Sequence, residues 1–171
     1  MSAAAKFGPG NKVLLAYGEG KLAIGELVRD KENKNLVMDI VAELQDKHRA
    51  KISSLVVHPN GRILSISKDE PVVHVWQSKT GGDVTYDTYL TGVPGNKAST
   101  PNIINALFAS GDAVLGVDDS GTTVAWNIER QKQRRQLSRG DEEYPTSVVG
   151  VHSRGKTQQA ISVTEDGVID L

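Results

Sequence analysis

Residues Val56–Trp76 read VVHPNGRILSISKDEPVVHVW. Three short apolar runs, rich in β-branched residues, are separated by HPNG and KDEP. β-branched residues suit a pleated, half-buried surface, whereas Asn, Gly, Asp and Pro set turns. The stretch predicts three consecutive antiparallel strands joined by tight turns. The same layout recurs in KFGPGNKVLLAYGEGKLAIG, LFASGDAVLGVDDSGTTVAW and GVHSRGKTQQAISVTEDGVIDL. Gly25, Trp76 and Trp126 stand at equivalent points, spaced by 51 and 50 residues. A repeat of about 45–50 residues with three or four strands per unit is the pattern of propeller blades.

Working outward, Lys12–Leu27 predicts a hairpin around Gly18-Glu19-Gly20, and Asn35–Leu44 a further strand after the charged loop RDKENK. Val84–Leu90 closes the second unit as its outer strand. Thr91–Pro101 is a loop of small residues, and NIINALF, AVLGV and TVAWNI build the third unit. TSVVGV, QAISV and GVIDL build the fourth. VAELQDKHRAKISSL has a helix-compatible composition, but the β-branched residues on both sides argue against a helix. The expected fold is all-β, with antiparallel four-stranded blades over about residues 1–45, 46–92, 101–140 and 144–171. The last blade lacks its outer strand, giving about three and three-quarter blades. Such an arc calls for strand exchange, a partner chain, a second copy giving about eight blades, a minimal four-bladed ring, or continuation in a longer protein.

The 171 residues suffice for one domain with a real core, and the net charge of −1 gives no overall pull toward nucleic acid or membrane. No cysteine is present, which excludes disulfides, thiolate metal sites and a cysteine nucleophile. No apolar run reaches the roughly 18 residues of a membrane helix, and MSAAAKFGPG lacks an apolar signal core. The expected compartment is intracellular, the cytoplasm first, with the nucleus open.

The second unit resembles the WD40-repeat family. It carries His48 followed by Ile52 and Leu55, the HPNG turn (His58–Gly61), the strand RILSIS, the turn KDEP and VVHVW ending at Trp76. The resemblance implies a structural hydrogen-bond set of a loop histidine, a hydroxyl on the second strand, an acidic turn residue and the tryptophan. Carried over, these are His48, Ser65 or Ser67, Asp69 and Trp76. Ser65 and Ser67 lie on one strand face, so parity does not choose between them. Equivalent positions in other units are Asp119, Trp126 and Asp166. The family resemblance implies a non-enzymatic scaffold that binds other protein subunits within a larger assembly, with no cofactor. Turn residues His58, Asn60 and Arg62 are candidate contacts.

GVHSRGKT (Gly150–Thr157) fits G-x-x-x-x-G-K-[ST], the phosphate-binding loop. That loop must open a helix, and QQAISV followed by TEDG predicts a strand instead, so Lys156 reads as a turn residue. The four histidines, His48, His58, His74 and His152, show no short zinc-ligand spacing, and His74 reads as an outward strand position beside Trp76. The acidic pairs Asp118-Asp119 and Glu165-Asp166 fall at repeated turns. The run Glu129–Gly140 holds Arg130, Lys132, Arg134, Arg135 and Arg139. It reads first as a charged outer strand that resists edge pairing. The alternative is a patch for RNA phosphates or an acidic partner, without the interleaved aromatics that base stacking needs.

Overall fold

The computed structural model describes residues 1–7, 10–32, 34–79, 82–92 and 100–130 in full, and 134–138, 145–154, 157–164 and 169–170 as backbone strands. The described residues form fifteen strands and no helix, so none is available to cross a membrane. Each sheet is a meander of sequential antiparallel strands, the order expected when short turns connect neighbours. The first blade is β1 (Ala3–Lys6), β2 (Lys12–Tyr17), β3 (Lys21–Arg29) and β4 (Leu36–Glu43). The second is β5 (Ser54–Val57), β6 (Arg62–Ile66), β7 (Val72–Ser78) and β8 (Val84–Thr91). The third is β9 (Ile103–Phe108), β10 (Ala113–Asp118), β11 (Thr123–Asn127) and β12 (Arg134–Ser138). The fourth sheet has three strands, β13 (Pro145–Arg154), β14 (Thr157–Thr164) and β15 (Ile169–Asp170). The innermost strand of the first blade is Ala3–Lys6. It pairs antiparallel with Val13–Ala16, and its residues alternate between half-buried and exposed.

The blades follow one another as an arc: β1 packs beside β5, β5 to β7 beside β9, and β9 and β10 beside β13. Strand alternation gives each blade two apolar faces. The forward face of the first blade (Leu14, Ala16, Leu22 and Ile24) meets the rear face of the second, with Ile63 and Trp76. The forward face of the second (Leu64, Ile66, Val73 and Val75) meets the rear face of the third, with Val114, Val124 and Trp126. Most of these side chains are fully buried, so the inter-blade layers are the core of the molecule.

A register shift lies just before Gly25 in the β3–β4 pair and just before Trp76 in the β7–β8 pair. An extra residue at that point bends the outer strand and adds twist. In the third blade the shift lies two residues earlier, between Thr123 and Val124, so the first two blades share a bend that the third places elsewhere. In the first blade, Leu15 and Met38 fill the space above Gly25, within 2.8 Å and 2.6 Å of where a Cβ would stand.

Candidate functional site

The segment between the first and second blades brings His48 under the turn at Gly20. Gly20 has φ +83, and a Cβ there would stand 2.7 Å from His48 Cβ and 2.9 Å from the Ala50 carbonyl. Only glycine allows both that backbone and that approach. His48 is thereby pressed against the second blade and is buried.

Four side chains then bond in series. Trp76 Nε1 donates to Ser65 Oγ at 2.8 Å, and Ser65 Oγ pairs with His48 Nε2 at 2.7 Å. His48 Nδ1 pairs with Glu70 Oε2. The other oxygen, Glu70 Oε1, accepts the Arg49 backbone N–H at 2.6 Å. Burial lowers the pKa of His48 below its usual value, while the hydrogen bond to Glu70 and its charge oppose the shift. The imidazole is therefore neutral at pH 7. Its Nδ1–H donates to the carboxylate, its Nε2 accepts the Ser65 hydroxyl proton, and Ser65 accepts the indole N–H.

His74 stands directly across from Ser65 on β7. Its ring is nearly perpendicular to that of His48, with centroids 4.4 Å apart. Its Nδ1 faces Tyr86 Oη at 3.2 Å, and its Nε2 is buried without a hydrogen-bond partner. Burial, then His48, with Lys47 adding to it, lowers its pKa to about 4, and Glu70 offsets part of the effect. Tyr86 packs edge-on against Trp76 at 5.2 Å, and Lys47 Nζ lies 4.4 Å from the Tyr86 ring centre. A cleft lined by Lys47, Arg49, Asp69, Glu70, His74 and Tyr89 opens beside these groups.

The structure brings His48, Ser65 and Trp76 together, and the acid that meets them is Glu70, not Asp69. Ser67 to Glu70 forms a closed turn, with the Glu70 N–H on the Ser67 carbonyl at 3.3 Å. Asp69 lies at the exposed outer corner of that turn, and the longer glutamate arm reaches back to the histidine. Ser67 is buried but takes only the Asp69 backbone N–H, at 3.3 Å. His74, expected to point outward, lies on the inter-blade face and is 7% exposed.

The third blade is wired differently. Gly116 holds the place of Ser65, and a Cβ on it would stand 2.6 Å from the Trp126 ring. Trp126 instead donates its Nε1–H to the Thr91 carbonyl, at the end of the second blade's outer strand, at 2.7 Å. Asp119 is exposed, and the buried carboxylate is Asp118, which accepts the N–H groups of Ser120 and Thr122. Asp166 lies outside the described residues.

His58, Asn60 and Arg62, candidate partner contacts in the sequence, are used within the fold. Arg62 donates to the Gly111 carbonyl at 2.6 Å and pairs with Asp112. Asn60 Oδ1 accepts the Arg62 N–H at 3.1 Å, and the His58 ring packs 5.1 Å from Phe108. These residues clamp the second blade to the third. Arg130 is exposed, Arg134 and Arg135 of β12 stand opposite Trp126 and Ala125 of β11 in the strand register, and Lys132 and Arg139 lie outside the described residues.

Gly150–Arg154 ends β13 and Thr157 begins β14, with Arg154 paired to Thr157. The phosphate-loop pattern therefore spans a hairpin, with Gly155 and Lys156 outside the described residues. A strand, not a helix N-terminus, follows it.

No family model and no curated protein matches the chain. Solved structures do. The β-propeller domain of Myceliophteria thermophila Cps50 (Swd1) is similar over 97% of this chain and 51% of its own, with TM-score 0.69 and 12% identity. The fold is a β-propeller arc. The computationally designed protein Ika8 is similar over 98% of this chain and 44% of its own, with TM-score 0.58 and 19% identity. The chain spans about half the length of these two structures.

Proposed function

We propose that the chain is a non-enzymatic scaffold of the WD40 type, and that it assembles by docking a second copy on the rear face of its first blade. One observation carries this reading. Leu27, Leu36, Met38 and Ile40 share that face and are 37%, 67%, 38% and 55% exposed. The corresponding faces of the second and third blades, which carry Trp76 and Trp126, are covered by the preceding blade. An uncovered apolar face of this kind marks an interaction surface.

Its geometry fits a blade rather than a peptide. Gly25 replaces the tryptophan, leaving a broad, low surface floored by Leu15. The matching element is the forward face of another blade. The chain matches 51% of the Cps50 (Swd1) propeller domain, so two such arcs match that domain in length. A C₂ pair places the same two faces together twice. The non-enzymatic part is supported by the site: in this structure the ring nitrogens of His48, the carboxylate of Glu70 and one oxygen of Asp118 bond to neighbouring loops and strands.

Light scattering on a sizing column tests the reading. The expected mass is twice 18.4 kDa. Replacing Met38 and Ile40 together by lysine is expected to give a monomer with an unchanged circular dichroism spectrum. A monomeric parent protein, or a variant that remains dimeric, overturns it.

A further inference from the structure

We propose that His48, Glu70 and His74 form a binding site for a divalent transition-metal ion, zinc before others. One ring nitrogen of each histidine and one carboxylate oxygen lie within 4.8 Å of one another, and all three residues are buried. Two imidazoles and a carboxylate, with a fourth position for water, are a donor set that zinc accepts in tetrahedral geometry.

A second observation points the same way. His74 is 7% exposed, and its Nε2 has no hydrogen-bond partner. A buried polar atom left unsatisfied costs about 1–3 kcal/mol, and a metal ion would satisfy it. If Nδ1–H donates to Tyr86 Oη, Nε2 carries the free lone pair that a metal needs.

Each ligand is also held from behind. Ser65, fixed by the Trp76 indole, holds His48 Nε2. The Arg49 N–H holds Glu70 Oε1, and Tyr86 holds His74 Nδ1. Such outer partners orient metal ligands and set their tautomers. The ion takes His48 through Nδ1 and the imidazole changes tautomer, so Nε2–H donates to Ser65 Oγ, which then accepts from both His48 and Trp76 while its own hydroxyl proton rotates away from the ring. The His48–Glu70 contact opens to admit the ion between them, and the adjoining cleft supplies the entry path and the water position. Lys47 and Arg49 at the mouth of the cleft oppose a cation, while Asp69 and Glu70 favour one.

Titration calorimetry with zinc chloride on the full chain is the test, with His74→Phe and His58→Ala as variants. About one equivalent should bind and raise the thermal midpoint. His74→Phe should weaken binding at least tenfold, while His58→Ala, on the remote turn, binds as the parent does. Equal binding by the parent and His74→Phe overturns the site, as does parental binding no tighter than millimolar. If His74→Phe fails to fold, the cobalt(II) complex of the parent decides. Intense tetrahedral absorption supports the site, and a weak octahedral spectrum or none overturns it.

Discussion

Replacing Ser65 by alanine removes one hydroxyl and strands two buried groups. The Trp76 N–H, 2.8 Å from Ser65 Oγ, loses its acceptor, and His48 Nε2, 2.7 Å away, loses its donor. Trp76 is 1% exposed, so water does not replace the lost partner without opening the inter-blade layer. Each orphaned group costs about 1–3 kcal/mol, so the expected loss for the two is roughly 2–6 kcal/mol. Ser67 provides the control, because it is equally buried, lies on the same strand face, and takes a single 3.3 Å bond from Asp69. Ser67→Ala is expected to cost about 1 kcal/mol or less. Urea unfolding followed by tryptophan fluorescence measures both, with unchanged m-values confirming that the native fold is compared in each case. Equal losses in the two variants, or a Ser65→Ala loss under about 1 kcal/mol, would show that the bonded series does not hold the blade together.

Glu70→Gln removes the charged acceptor of His48 and is expected to cost about 2 kcal/mol, whereas Asp69→Asn stays within about 0.5 kcal/mol; urea midpoints in the reverse order refute the assignment. His74 has a folded pKa of about 4 and an unfolded value near 6.5. Below pH 6.5 the unfolded chain binds the extra proton, so stability present above that pH falls as the pH drops toward 4. The parent should lose on the order of 1–2 kcal/mol between pH 7 and pH 5 that His74→Phe retains, with allowance for solvent near the cleft; parallel stability–pH curves would contradict this. Gly116→Ala places a Cβ 2.6 Å from the Trp126 ring and 2.9 Å from the Asn105 carbonyl, and overpacking of this kind costs about 1–3 kcal/mol. Near-ultraviolet dichroism should show Trp126 displaced, and an unaltered spectrum with parental stability argues against the contact.

The blade repeat was legible because its signals are local: β-branched runs, turn residues, and the spacing of Gly25, Trp76 and Trp126. The site was legible only in part. Ser65 and Ser67 share a strand face, and only the position of His48 distinguishes them. Asp69 and Glu70 are neighbours, and the reach of a side chain from a turn corner decides between them. His74 alternates correctly with Val73 and Val75, but alternation does not say that both faces of an inner blade are covered. The His48–Glu70–His74 grouping joins a loop, a turn and a strand, so no short spacing announces it. The bonds of Asn60 and Arg62 to the third blade were not legible, because Gly111 and Asp112, which take them, are about fifty residues away.

Trp76 bonds within its own blade, but Trp126 bonds across a boundary, to the Thr91 carbonyl. Replacing the hydroxyl acceptor by Gly116 therefore changes which parts of the chain must open together. The third blade cannot release its indole without disturbing the outer strand of the second, and the Arg62–Asp112 pair ties the same two blades at another point. The central pair is thus a single cooperative unit for local opening, whereas the amides of the outer strand of the first blade are slowed only when a second copy covers Met38 and Ile40.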